Sequence, residues 1–203
     1  RMESKEEFLE FAISKFLKFG SKRFTLDDLA HEMGISKKTI YRYFSSKEEI
    51  VQESLKYLLT KLQNEITVAI EKDKSNPIQG IISIYRIGLD NLKKFSPSFL
   101  LGLRKYYPRA NELFNEFRAN AIHNRILVLL QQAQINGQIR KNVNLELTSE
   151  LYLNRLEYVL FSTNNLFEKY SVQELLDHII TNNLLGISTK NYLEENNYSL
   201  GLS

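Results

Sequence analysis

The chain has 203 residues, 43% of them hydrophobic, with a formal net charge of +3 and no cysteine. That length and apolar content allow a small unit joined to a larger packed one and exclude a wholly disordered chain. The lack of cysteine excludes disulfides and thiolate chemistry. No apolar run approaches the roughly 18 residues of a membrane helix and no secretory leader precedes the first helix, so a soluble, cytoplasmic protein without a membrane partner is expected.

The most informative stretch runs from Phe24 to Ile50. Thr25 and Asp28 form a Thr-x-x-Asp pattern, in which a hydroxyl accepts a backbone N–H at a helix start and the carboxylate lies in the first turn. Leu26, Leu29, Ala30 and Met33 follow at helical spacing. Gly34 supplies the positive φ of a sharp chain reversal, and Ile35 fits between the helices it separates. Ser36 is a second N-cap. It opens a helix whose Ile40 and Phe44 face inward while Lys37, Lys38, Thr39, Tyr41, Arg42 and Tyr43 project polar or aromatic tips. Ser46-Lys47-Glu48-Glu49 is a capping box with Ser46 as N-cap and Glu49 reaching back, which predicts a linker of only about two residues before the third helix. Between Met33 and Lys47 stand the cations Lys37, Lys38, Arg42 and Lys47 without a carboxylate. Clustered cations on one face suit phosphate binding, because each neutralised phosphate releases condensed counterions.

The run GISKKTIYRYFSSKEEI resembles the signature of the TetR (tetracycline repressor) family: a glycine turn, a Ser-initiated recognition helix, Tyr-x-Tyr-Phe, then Ser-Lys-Glu. Gly34, Ser36, Thr39, Tyr41, Tyr43, Phe44 and Lys47 all fall in register. Upstream, Phe8, Ala12, Ile13 and Phe16 followed by Gly20 resemble the first helix of that family. The chain departs from the pattern at Ser21, where an aromatic residue is common, at Phe24, where a small polar one is, and at Lys38, where a small one is. The resemblance implies an all-α, homodimeric, ligand-responsive transcriptional regulator, usually a repressor. Its architecture would be an N-terminal three-helix helix-turn-helix DNA-binding domain (1–50) and a larger helical ligand-binding and dimerisation domain (51–203). Lys37, Lys38, Thr39 and Tyr41 are the candidate base readers in double-stranded operator DNA. Thr25, Ser36, Arg42, Tyr43 and Lys47 are the candidate phosphate contacts, Ser36 by capping and positioning the readers.

Past Ile50 the helical period continues through Val51, Leu55, Leu58, Leu59, Leu62, Ile66 and Ile70 to Lys72, predicting one long helix that leaves the DNA unit. Asn76-Pro77 reads as N-cap and first-turn proline of a helix to about Lys94, and Ser96-Pro97 opens a short one. Tyr107-Pro108 opens a long helix from about Arg109 to Asn136, ended by Gly137. Thr148 or Ser149 is expected to cap a helix to about Asn165. Ser171-x-x-Glu174 is a further capping box, opening a helix that ends at Gly186. The Asn-rich stretch 191–203 predicts a marginal helical turn or a disordered end.

The last two strong helices carry more apolar residues than one buried face requires, and Leu156, Leu160, Leu176, Ile180 and Leu184 are the candidate dimer interface. Aromatic residues gather in the middle of the chain. With a few polar anchors they predict a pocket for an unidentified small-molecule effector, lined by Tyr85, Arg86, Phe99, Tyr106, Phe117, His123, Tyr152, Arg155 and Tyr158. An enzyme is not expected. His31, His123 and His178 lack metal-ligand spacing, no nucleophile, P-loop or dinucleotide motif is present, and no cofactor or metal is called for. The alternative reading is a helical sensor or interaction protein with a degenerate DNA-reading unit.

Overall fold

The computed structural model describes residues 4–161 and 165–198, with the side chains of residues 121, 160 and 161 outside that description. Among the described residues every regular element is helical, and the one extended pairing is an isolated bridge between Ile139 and Ser188. The helices are α1 (Lys5–Phe19), α2 (Leu26–Glu32), α3 (Lys37–Tyr41), α4 (Lys47–Lys72), α5 (Pro77–Leu92), α6 (Pro97–Tyr106), α7 (Pro108–Phe117), α8 (Arg125–Ile135), α9 (Leu145–Phe161), α10 (Val172–Leu176), α11 (Asn182–Ile187) and α12 (Lys190–Glu195). They form two compact units, the first running through Asn64 and taking in Lys94–Arg118, the second made of Glu65–Lys93 and the chain from Ala119 on.

In the first unit α1 buries Phe8, Ala12, Ile13 and Phe16, α2 buries Leu29 and Ala30, and α3 buries Ile40. The rings of Phe8 and Phe44 meet at 5.1 Å, so the apolar periodicity of α1 closes over the turn that follows α3. Each such ring taken fully out of water stabilises the unit by about 1.5–3 kcal/mol. The α2 cap forms as expected: Thr25 Oγ1 accepts from the Asp28 amide, and Asp28 Oδ2 accepts from the Thr25 amide at 2.7 Å. Gly34, at φ +63, ends α2 in a Schellman turn, with the Gly34 amide on the His31 carbonyl and the Ile35 amide on that of Ala30. Ser46 caps α4 by accepting from the Glu49 amide, but Glu49 reaches one residue further back than expected, to the amide and hydroxyl of Ser45. Helix α3 closes at Tyr41, so the linker to α4 is longer than the two residues expected.

The same unit holds α6 tightly against the end of α1. The Ser96 amide donates to the Leu17 carbonyl at 2.9 Å, and the Tyr107 hydroxyl donates to the Ser21 carbonyl at 3.3 Å. A Cβ on Gly102 would lie 3.5 Å from Ser21 Oγ, and Ser21 is fully buried. A small side chain is therefore what this position admits here. Phe24 stacks on Phe19 at 5.5 Å.

The helix expected over 109–136 begins at Pro108, in the first unit, and is interrupted by a π-helical segment, Arg118–Asn124. The helix expected from Ser171 to Gly186 is likewise interrupted, by a π segment at Asp177–Thr181. Helix α9 begins at Leu145, earlier than expected, because Asn144 Oδ1 accepts from the Leu147 amide; Thr148 and Ser149 instead bond back to the carbonyls of Asn144 and Glu146. The C-terminal stretch is held by α12. Its Tyr192 is buried with its hydroxyl on Asn76 Oδ1 at 3.0 Å, and Tyr198 accepts from Gln79 at 2.8 Å. Residues 199–203 lie outside the described residues.

Candidate functional site

Helix α3 presents Lys37, Lys38 and Tyr41 to solvent, with Arg42 and Tyr43 exposed immediately after it, while Ile40 faces the core. Ser36 Oγ accepts from the Thr39 amide at 3.0 Å and lies 2.9 Å from the Thr39 hydroxyl, so both side chains brace the start of the helix. Lys37 is engaged with Asp27 of α2, its ammonium 2.9 Å from the carboxylate, and that bond raises its pKa. Lys38 has no such partner among the described residues. The Asp27 contact, which pattern reading missed, ties α2 to α3 and leaves Lys38, Tyr41, Arg42 and Tyr43 as the unencumbered tips. Thr25 spends its hydroxyl on the α2 cap. Lys47 is half-buried, its ammonium 3.5 Å from the Lys22 carbonyl; burial first, then the charge of Lys22, hold its pKa below the ordinary lysine value.

Around this helix residues 4–54 match the family model described as "Bacterial regulatory proteins, tetR family". Residues 4–54 thus form a TetR-family helix-turn-helix region. The chain is similar to the HTH-type transcriptional regulator YvaF of Bacillus subtilis, at 25% identity over 159 residues, 77% of this chain and 82% of that protein. It is also similar to the HTH-type transcriptional regulator BetI of Brucella abortus, at 24% identity over 133 residues, 63% of this chain and 66% of that one. Among solved structures it shares its fold with the transcriptional regulator FadR of Bacillus subtilis in complex with stearoyl-CoA, at TM-score 0.69 and 17% identity over 87% of this chain and 98% of that one. The chain thus carries a TetR-family DNA-binding region of the kind found in transcriptional regulators, is all-α in build among the described residues, and has no described helix long and apolar enough to cross a membrane.

The residues singled out for an effector pocket separate in the TetR-family fold. Phe99, Tyr106 and Phe117 belong to the first unit, where Phe99 is core against Phe95 and Tyr106 is 43% exposed. Of those in the second unit, Arg86 is exposed and donates to Gln173 at 2.8 Å, Tyr158 is exposed, and His123 lies in the first π segment with its Nδ1 buried and unpartnered. The structure brings together Tyr85, Tyr152 and Arg155. The two tyrosine rings meet edge to face at 6.3 Å and the Arg155 guanidinium lies 5.8 Å from the Tyr152 centroid. Tyr152 donates to Asn183 at 2.6 Å. Arg155 donates to the Ile179 carbonyl at 2.9 Å, taking up an acceptor that lies in the second π segment. The Tyr85 hydroxyl is buried without a partner among the described residues, and burial raises its pKa, with Tyr152 adding to the shift and Arg155 opposing it.

The dimer-interface candidates need correction. Leu156, Leu176, Ile180 and Leu184 are 3%, 0%, 0% and 0% exposed within the single chain, so they are core and offer nothing for a second copy to cover. The side chain of Leu160 lies outside the described residues. Exposed apolar side chains on α9 fall instead at Leu147, Leu151 and Tyr158.

Proposed function

We propose that this regulator is a homodimeric repressor that binds a pseudo-palindromic operator and is released from it by a small molecule. The observation that supports it most directly is the capped α2–α3 turn that displays Lys38, Tyr41, Arg42 and Tyr43 beside one another without a carboxylate partner among the described residues. In this reading Lys38 and Tyr41 contact base edges, Lys37 joins them once it exchanges Asp27 for DNA, and Thr39 contributes its methyl or hydroxyl. Arg42, Tyr43 and Lys47 hold phosphates, and Ser36 and Thr25 position the helices that carry them. A two-half-site operator requires a two-fold dimer, and the α9 stripe of Leu147, Leu151 and Tyr158 supplies an apolar face for it.

In this reading the effector site lies at Tyr85, Tyr152 and Arg155. A buried phenol hydroxyl without a partner carries a desolvation cost that an acceptor on a ligand would relieve, and a guanidinium beside it favours an anionic or strongly polar head. An apolar molecule with such a head fits that chemistry, and the FadR structure bound to stearoyl-CoA shows one such ligand in the shared fold. Release then requires that the ligand bind more tightly to the conformation that fits the operator poorly.

Selection of sites from random duplexes tests the DNA reading. A pseudo-palindrome should emerge whose affinity falls steeply with salt. Lys38→Ala should relax preference at one operator position, and Lys47→Ala should weaken all sequences and lower the salt slope by about one unit in each protomer. No preference over random duplex at any salt would establish the degenerate-reader alternative instead.

A further inference from the structure

Two lysines from separate elements converge on one aromatic ring. Lys22, in the turn after α1, has its ammonium 4.9 Å from the Tyr106 centroid, and Lys105, near the end of α6, has its own 5.2 Å from the same centroid. All three residues are exposed, and neither lysine has an ion-pair partner among the described residues. Attraction to an exposed ring is worth only about 0.5–1 kcal/mol. It gathers two like charges without neutralising them.

The group continues toward the helix-turn-helix. The Lys22 carbonyl lies 3.5 Å from the Lys47 ammonium, so ammonium groups run from the start of α4 through the α1–α2 turn to the end of α6, all within the first unit. Asp28 is the carboxylate that acts on Lys47, and it is already bonded to the amide and hydroxyl of Thr25. Burial first and the Lys22 charge second depress the Lys47 pKa, and the second of these marks a neighbouring cation. Arg23 and Arg104, exposed next to these lysines in the chain, add to the same charge. Such a row repels itself and is relieved by a polyanion.

We propose that Lys22, Tyr106 and Lys105 form a second backbone-binding patch, which grips duplex phosphates flanking the segment read by α3 and extends the DNA footprint beyond the helix-turn-helix. Tyr106 works here as the post that spaces the two ammonium groups, with its hydroxyl as a further donor. Phosphates carry no base information, so the patch adds affinity and register but not sequence preference. The proposal rests on the reading of this chain as a regulator that binds duplex DNA.

The test uses the full chain, the selected operator and a random duplex, with binding measured across a salt series. Lys22→Gln with Lys105→Gln should lower the salt slope by about one unit per lysine in each protomer, equally on both duplexes, while the operator's advantage over random sequence is kept. Lys22→Arg with Lys105→Arg should keep the slope. Lys141→Gln with Lys169→Gln removes the same charge from exposed sites in the second unit and should leave the slope unchanged. A wild-type slope in the Lys22/Lys105 double variant, while the wild type binds operator tightly, overturns the patch and leaves the DNA reading standing. An equal fall in the Lys141/Lys169 control also overturns it, by showing a bulk charge effect. Salt-insensitive or absent DNA binding by the wild type overturns both.

Discussion

Asp28, Glu49 and Glu174 each accept hydrogen bonds from a serine or threonine at a helix start, and those bonds hold all three below their ordinary values of 3.8 and 4.5. For Asp28 and Glu174 the backbone amide of Thr25 or Ser171 is the larger cause; for Glu49 it is the Ser45 hydroxyl. A carboxylate whose folded pKa is depressed gives stability that is complete above the unfolded value and is lost as pH falls through the folded one. Thermal midpoints should therefore hold steady from neutral pH down to the ordinary carboxylate range and drop below it. Replacing Thr25 and Ser171 by Ala should lower the neutral midpoint and shrink that acid-dependent drop, which calorimetry at neutral and acid pH will show. Tyr85 gives the opposite kind of residue-scale outcome. Its hydroxyl is buried without a partner, so Tyr85→Phe should leave unfolding by urea unchanged or raise stability by about 1 kcal/mol, while reducing the thermal shift produced by any compound that binds the second unit. A loss of stability above that size would show that the hydroxyl is satisfied in solution.

At the scale of elements, the caps other than that of α9 were legible and the interruptions were not. Thr25, Ser36, Ser46, Asn76, Ser96 and Ser171 all accept at the helix starts where their spacing put them, because capping is a contact between residues three apart in sequence. The π segments at Arg118–Asn124 and Asp177–Thr181 left no trace in apolar periodicity, and a carbonyl of the second is taken up by a long-range bond, that of Arg155 to Ile179. The seat of α6 on α1 was hidden too. It depends on a glycine and serines that no hydrophobic pattern records. Gly20 has φ +84 and ψ 136, and a Cβ there would lie 3.0 Å from Ser98 Oγ. Gly34 has φ +63 with nothing within 4 Å of a Cβ. Gly34→Ala should thus cost about 1–2 kcal/mol from backbone strain alone. Gly20→Ala should cost more, up to about 3 kcal/mol, and adding Ser98→Ala should recover part of the Gly20 loss but none of the Gly34 loss when each pair is compared by chemical denaturation.

At the scale of the whole molecule, the proposed dimer interface is where sequence and structure part most clearly. Apolar excess on the last two helices, with the family resemblance, put the interface at Leu156, Leu160, Leu176, Ile180 and Leu184, but a helical period does not say which apolar face is covered by the chain's own helices. The structure shows Leu156, Leu176, Ile180 and Leu184 inside and leaves Leu147, Leu151 and Tyr158 at 53%, 46% and 66% exposure on α9. With exposed Asn154 they follow the i, i+4, i+7, i+11 spacing of one helix face, which is the spacing a second copy would engage. Charge placed on that stripe meets water in the monomer and is buried only on association, so Leu151→Glu with Tyr158→Glu should preserve folding and split the dimer. Leu156→Glu places the same charge in the core and should unfold the second unit instead. Sedimentation and native mass spectrometry read the first outcome and circular dichroism the second. Because two linked readers bind two half-sites with the second contact made intramolecular, the stripe variant should lose affinity for the full operator by tenfold or more yet bind a single half-site as the wild type does. A folded variant that stays dimeric would move the interface off this face of α9.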